Sequence, residues 1–561
     1  MSTIEFYPKL LQTLKHYNKK TFLSDLMAGV IVGIVALPLA IAFGIASGVS
    51  PEVGITTAIV AGFIISLLGG SKVQIGGPTG AFIVIVYGII QQYGQNGLIV
   101  ATLLAGVLLI LLGLFKLGTI IKYIPYPIIV GFTSGIAVTI FTTQIKDLFG
   151  LQLAQVPADF IGKWGAYFGA FPTLNPWSLG IGLASILIIA LTPRFSKRIP
   201  GSLLAIVVAT VAAWLLREYA GVQSIETIGD RFVINPELPD AEIPPMSWEM
   251  VQGLLPAAMT IAVLGAIESL LSATVADGVI GDKHNSNQEL MAQGIANLVT
   301  PLFGGIPATG AIARTMTNIN NGGRTPVAGL VHAGVLLLIL LCLGSLTSLI
   351  PMACLAGVLV VVSYNMSEWR TFRLLLRNPK SDVTVLLITF CLTVLFDLTI
   401  AIEVGLVIAC LLFMRRVAET TDIHVITDEI DPAEDTDALL HEEHLAVPDG
   451  VEVYEINGPY FFGIANRFEE QMALMGDRPK VRIIRMRKVP FIDSTGLHNL
   501  TNLCLMSQKE GITIILSGVN EKVHATLEKS GFNSLIGKKN ICSHINLALE
   551  RARELLGMPK E

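Results

Sequence analysis

Two short stretches of this sequence have the makings of a site that grips an anion without a mobile cation. Gly76-Gly77-Pro78-Thr79-Gly80-Ala81 and Gly304-Gly305-Ile306-Pro307-Ala308-Thr309-Gly310-Ala311 each carry a glycine pair, then proline and Thr-Gly-Ala. Proline presets the first turn of a helix, and Thr or Gly there leaves backbone N–H groups free. Those groups and the positive end of the helix dipole favour a negative ligand. Two half-helices meeting N-terminus to N-terminus would focus positive potential on one spot. Close helix packing through Gly and Pro is the plainer reading of either stretch alone; their pairing favours a site. Arg314, one turn after Gly310 in Gly310-Ala311-Ile312-Ala313-Arg314-Thr315, can add a fixed positive charge, unless it snorkels to an interface.

Glu268 lies in Val263-Leu264-Gly265-Ala266-Ile267-Glu268-Ser269-Leu270-Leu271-Ser272. A carboxylate facing lipid there would cost several kcal/mol, so it should face the protein interior. It is then either a coupling-ion site that takes up and releases a proton, or a carboxylate paired structurally with Arg314 or a helix N-terminus. Asp397 and Glu403, near an outer loop, read as structural, and Asp25 complements the dipole at the start of the first helix.

The elements that must position these residues are set by an apolar chain. Of 561 residues, 52% are hydrophobic and 14% charged, and the mean hydropathy is +0.66. A soluble domain averages about 25% charged. Charge is about 10% of residues 1–420 and about 26% of 421–561, so a lipid-adapted part precedes an ordinary soluble one. The net charge of −5 excludes a generally basic nucleic-acid binder. Six cysteines without a C-x-x-C make a disulfide framework or a metal site unexpected, and the thiols read as buried and free. With no nucleotide-binding or hydrolase motif, neither a cofactor nor an enzymatic activity is expected.

Fourteen spanning or part-spanning segments are expected, near 22–47, 52–69, 78–92, 97–115, 124–145, 176–192, 200–216, 252–276, 287–302, 309–320, 325–344, 347–363, 381–397 and 399–416. Those near 78–92 and 309–320 are too short to cross as helices. They are third and tenth, so each is third in a half of seven. Seven is odd, which inverts the second half relative to the first. Interrupted segments at matching places in inverted halves point to a transporter site at mid-membrane. Arg194, Lys197, Arg198, Arg370, Arg373, Arg377, Lys380, Arg415 and Arg416 fall on the side of the basic N-terminus. The loop 217–249 on the other side is acidic, with Glu218, Glu226, Asp230, Glu237, Asp240, Glu242 and Glu249. The positive-inside rule then puts both termini in the cytoplasm. The expected domains are an N-terminal segment 1–21, a membrane domain 22–418 with repeats near 22–217 and 250–418, an acidic linker 419–445 that cannot bury a core, and a small α/β domain 446–556. In that domain Val451–Asn457 alternates like a half-buried strand, and Val481–Met486 and Ile512–Leu516 read as buried strands. Asp493-Ser494-Thr495 reads as a helix cap.

In this order, Ala36-Leu37-Pro38-Leu39-Ala40-Ile41-Ala42-Phe43, Gly77-Pro78-Thr79-Gly80, Ala266-Ile267-Glu268-Ser269-Leu270-Leu271-Ser272, Gly310–Thr315 and Gly322-Gly323-Arg324-Thr325-Pro326-Val327-Ala328-Gly329 resemble the sulfate permease (SulP) family of anion transporters, in its bacterial form. Phe491-Ile492-Asp493-Ser494-Thr495-Gly496-Leu497 resembles the STAS domain. The resemblance implies a polytopic α-helical membrane protein with a seven-plus-seven inverted repeat in core and gate domains, as in uracil permeases, followed by a cytoplasmic STAS domain. It implies substrate contact by Phe43, Thr79, Gly80, Ala81, Gly310, Ala311, Ala313 and Arg314. Glu268 and Ser272 fall where Na⁺-coupled bicarbonate members carry Asp and Thr; Glu resembles the proton-coupled members better. Leu39 stands where many animal members have Gln. Thr495 matches the residue phosphorylated in soluble antagonists. A homodimer in a bacterial inner membrane, carrying sulfate, bicarbonate or a C4-dicarboxylate with a proton or Na⁺, follows from the same resemblance. An uncoupled channel or an anion sensor is the alternative.

Overall fold

A computed structural model describes the chain except residues 1–5, 16, 119–124, 154, 155, 158, 196–199, 234–244, 397, 427, 428, 431–444, 463–478, 560 and 561. Asp397, Lys197, Arg198, Glu237, Asp240, Glu242 and most of the acidic linker therefore lie outside the described residues. The chain divides into two compact units, Met1–Ala409 and Cys410–Glu561. Among the described residues nine helices are long and apolar enough to cross a membrane.

The first unit holds segments one to thirteen and the start of the fourteenth. Segment one is Lys19–Ala46 and segment two Pro51–Leu68. A 3₁₀ turn, Gly80–Phe82, leads into Ile83–Leu114, which Gly94 (φ +70°) divides into segments three and four. Only glycine adopts that backbone freely. Tyr126–Phe149, Pro176–Phe195 and Gly201–Tyr219 are segments five to seven. Trp248–Ile280, Ser286–Val299, Ile312–Asn320, Val327–Thr347, Met352–Met366, Lys380–Leu395 and Leu398–Thr420 are eight to fourteen. Of the further helices outside these segments, Phe160–Ala170 is the longest among the described residues; it was not expected from the sequence, is amphipathic and capped by Asp159, and lies in the connection after segment five.

Most of the heaviest packing partnerships are unchanged when each segment is exchanged for the one seven places away. Segment one packs on eleven as eight packs on four, and two on eleven as nine on four. Five packs on thirteen as twelve packs on six, while two with nine and five with twelve map onto themselves. This is the inverted repeat seen as contacts. It also separates a core (one to four, eight to eleven) from a gate (five to seven, twelve to fourteen).

Small residues let the core close up. A Cβ on Gly106 of segment four would lie 2.8 Å from the carbonyl oxygen of Gly294 in segment nine. Gly106→Val should therefore push the two helices apart. Overpacking of this kind costs about 1–3 kcal/mol, read as a lower Tm of the detergent-solubilised chain. Gly88→Ala, with open space around the new methyl, should not lower it; equal melting of the two variants would refute this packing.

Two expectations are corrected here. Asp25 does not serve the start of its own helix. It is fully buried and accepts hydrogen bonds from the N–H groups of Arg324 and Thr325, from the Thr325 hydroxyl and from Tyr17. It thereby caps the approach to segment eleven across the repeat. Of the six free cysteines, Cys342, Cys391 and Cys410 are on the outside of their helices rather than buried. An apolar run in a membrane helix has a face for lipid as well as one for protein, so hydrophobic surroundings in sequence do not imply burial.

The second unit is an α/β layer. Its five-stranded sheet runs Asp422–Ile426, Val451–Asn457, Val481–Arg485, Thr513–Ser517, Ile541–Cys542, antiparallel at the first pair and parallel thereafter. Apolar clusters cover both faces. Val451–Asn457 is therefore buried on both sides, not half-buried as its alternation suggested. Its acids are accommodated by ion pairs across the ladder: Glu452 faces Arg482 at 3.6 Å and Glu455 faces Arg485 at 3.5 Å. Glu429–Ile430 pairs with Leu445–Ala446 in a separate short ribbon.

Candidate functional site

The chain breaks its helices twice at the centre of the core and pairs the loose ends. Gly76–Gly77 and Thr309–Gly310 form a two-residue antiparallel ladder, Gly76 opposite Gly310 and Gly77 opposite Thr309. Non-helical backbone inside a membrane must find internal partners, and here the facing strand and buried side chains supply them. Ala311 N–H donates to the Ile75 carbonyl at 2.9 Å, Ile75 N–H to the Thr315 hydroxyl at 3.0 Å, and Asn318 to the Val73 carbonyl at 2.9 Å. Thr309 donates to the Gly265 carbonyl at 2.8 Å, and Asn297 both donates to and accepts from Ala308. From this ladder the two half-helices depart, one through the turn Gly80–Phe82 and one at Ile312. Neither start has a side-chain cap, which leaves first-turn N–H groups for a ligand.

The two motifs interlock. Arg314 is 1% exposed, so it does not snorkel, and its Nη2 donates to the Pro78 carbonyl of the first motif. Its Nη1 has no hydrogen-bond partner among the described residues and lies where a Cβ on Gly77 (φ +150°) would be. The Gln74 amide in turn fills the place of a Cβ on Gly310. Each motif thus needs glycine because the other repeat delivers a polar side chain to that point.

A cavity of about 340 Å³ opens in front of the half-helix ends. Phe43, Thr79, Gly80, Gly310, Ala311, Ala313, Arg314 and Glu268 all line it. The Glu268 carboxylate accepts a 2.8 Å hydrogen bond from the Thr79 hydroxyl, and no ion pair joins it to Arg314 among the described residues. Ala81 and Ser272 are not in the lining. Ala81 is fully buried behind the turn, and the Ser272 hydroxyl lies 3.3 Å from that of Thr315. The remaining wall comes from Leu39 and from gate residues that the motif reading missed: Thr133 on segment five and Val362, Asn365, Met366 and Glu368 at the end of segment twelve. They carry no local signal; the gate contributes surface, not a motif.

The cavity is one-sided. Asn365, Glu368, Ile312 and Ala313 are exposed at its mouth, at the end where segment twelve finishes. Beyond Phe43 the seam between core and gate is filled by Ala42, Ile136, Ile140 and Leu359, all packed in one apolar cluster.

In the second unit, Asp493 caps helix Ser494–Lys509 by accepting from Gly496 N–H at 2.7 Å. Thr495, the second residue of that helix, is exposed.

Among known proteins, the sulfate permease family matches residues 22–389 and the STAS domain residues 444–549. The chain is 42% identical to YvdB of Bacillus subtilis, a protein named for sulfate transport, over 94% of this chain and 98% of that one. It is 31% identical to the bicarbonate transporter BicA of Picosynechococcus over 85% of each. In solved structures, murine Solute Carrier 26 family member A9 in its inward-facing state shares the fold with a TM-score of 0.87 at 20% identity, covering 99% of this chain and 96% of that one.

Proposed function

From the premise that the chain belongs to the sulfate permease family, we propose that it is a secondary active transporter of small oxyanions, sulfate first, driven by protons. The family is one of transporters rather than enzymes, and anion transport is common to these relatives. The finer reading rests on one observation. The cavity that two half-helix N-termini face carries one side-chain cation, Arg314, against two acids, Glu268 within and Glu368 at the mouth. With Glu268 ionised, the side chains carry one net negative charge, and their repulsion of an anion cancels the attraction of the two helix dipoles, each worth about half a positive charge. Protonating Glu268 removes that repulsion. A proton and an anion are therefore welcome together and released together, which is symport.

A cavity open at one end and plugged at the other supports a carrier that alternates rather than a channel. Bicarbonate is the second substrate reading, favoured by the similarity to BicA; glutamate at 268 supports protons over Na⁺ as the coupling ion. The distribution of Lys and Arg supports an orientation with both termini and the STAS domain in the cytoplasm of a bacterial inner membrane, and the STAS domain supports a homodimer.

The test is uptake of labelled sulfate, bicarbonate or fumarate into proteoliposomes holding the purified chain, each with and without an inward proton gradient. Concentrative sulfate uptake that requires the gradient is the expected result. Uptake stimulated by Na⁺ alone overturns the coupling, and uptake of another anion in place of sulfate overturns the substrate.

A further inference from the structure

At the opposite end of the core–gate seam from the central cavity lies a recess of about 120 Å³. Its wall holds Ala42, Ile45 and Ala46, within one turn of Phe43 on segment one, and Leu355, Ala356 and Leu359, about one to two turns from Val362 on segment twelve. It shares Lys146, Asp147, Arg231 and Met352 with a wider vestibule of about 660 Å³. That vestibule is balanced: Lys146, Arg217 and Arg231 meet Asp147, Glu226 and Asp230.

The recess is not balanced. Its charged lining is Lys146, Lys163 and Arg231 against Asp147 alone. Arg231 is already consumed by Asp147 at 2.8 Å and Glu226 at 2.6 Å. Two ammonium groups are left over. Among the described residues Lys146 donates only to the Leu153 carbonyl, at 3.3 Å. Lys163, on the helix Phe160–Ala170, is 5% exposed; it feels the Asp159 carboxylate at the start of its own helix without an ion pair among the described residues, and it lies 5.6 Å from the centroid of the Tyr87 ring, across the seam on segment three. A ring face offsets only part of the cost of taking an ammonium out of water. The Tyr167 hydroxyl, on the same helix, is buried in the same wall without a hydrogen-bond partner among the described residues. A desolvated cation and an orphaned donor lining one recess of about 120 Å³, room enough for a small oxyanion, are half of a binding site.

We propose that this recess is a second anion site, in which the Lys163 and Lys146 ammonium groups and the Tyr167 hydroxyl hold a small oxyanion of the class that the central cavity takes. The choice of oxyanion rests on the transport reading above. The site is a loading station at the far mouth of the seam: an anion there waits behind the apolar plug for the gate to shift. Because Lys163 belongs to the gate and Tyr87 to the core, occupancy is sensitive to their relative position.

Selenate is a tetrahedral dianion whose selenium scatters anomalously. Crystals of the full chain soaked in selenate should show an anomalous peak within hydrogen-bond reach of Lys163 and Tyr167. The peak should be lost in Lys163→Gln and kept in Lys163→Arg. No peak in the recess of the unmodified chain, or one that persists in Lys163→Gln, overturns the proposal. A peak between Thr79 and Arg314 with an empty recess overturns it while leaving the transport reading standing. A peak in the recess alone supports it and counts instead against the central cavity.

Discussion

Glu268→Gln is expected to abolish proton-driven accumulation of anion in proteoliposomes while exchange of anion across the membrane continues. Glutamine has nearly the shape of glutamate and still accepts the hydrogen bond that the Thr79 hydroxyl gives at 2.8 Å. The local geometry should survive the substitution; what is lost is a group that can carry a proton. One pH unit across a one-proton symporter is worth about 1.4 kcal/mol, or about a tenfold concentration of substrate inside. In the variant that ratio should fall to one. Since a neutral side chain at 268 also removes the repulsion of the anion, binding should persist at pH values where the unmodified chain has lost it. Accumulation that remains at the unmodified level would show that the proton travels elsewhere and would leave Glu268 a structural acceptor for Thr79.

Arg314→Ala should cost anion affinity rather than coupling. The guanidinium is the only cation in the central cavity among the described residues. It also ties the second half-helix to the first through the Pro78 carbonyl. A hydrogen bond involving a charged group contributes about 1.5–3 kcal/mol, so the half-saturating anion concentration should rise about ten- to a hundredfold. Gly77→Ala should reproduce much of this loss with Arg314 intact. The added methyl would stand where Nη1 lies, at a φ of +150° that disfavours any side chain. Uptake by Gly77→Ala with unaltered affinity would mean that Arg314 has another place to go, and that its position against the first motif is not what the site depends on.

Much of the candidate site could be read from residue types alone. The two broken helices placed third in each half, and Arg314 one turn into the second, follow from a Gly/Pro start to a short apolar segment, and the family resemblance added Thr79, Gly80, Gly310, Ala311 and Ala313 as contacts. Glu268 was legible because a carboxylate in an apolar run must find the protein interior. The gate wall was not legible. Thr133, Asn365 and Met366 sit in ordinary apolar helices, and their place in the cavity depends on how segments five and twelve cross the core. The helix Phe160–Ala170 was missed for a similar reason: eleven residues between membrane segments are too few to stand out in a pattern tuned to spans.

The sequence by itself determined that this is a membrane protein in two inverted halves with a soluble tail, since solvent composition, segment length and the parity of seven are all written locally. It also determined which residues could hold an anion or a proton. Tertiary structure alone decided what those residues do to one another. The glycine at 77 is required by an arginine 237 positions later, and the glycine at 310 by Gln74 in the other repeat. Asp25 serves a helix start some 300 positions away, and Lys163 meets Tyr87 only because gate and core close at that end. The physical reason is range. Hydrophobic periodicity and helix-breaking act over a few residues and leave their mark on neighbours. Burial, charge balance and close approach act across space, and inverted repeats bring together residues that lie furthest apart in the chain.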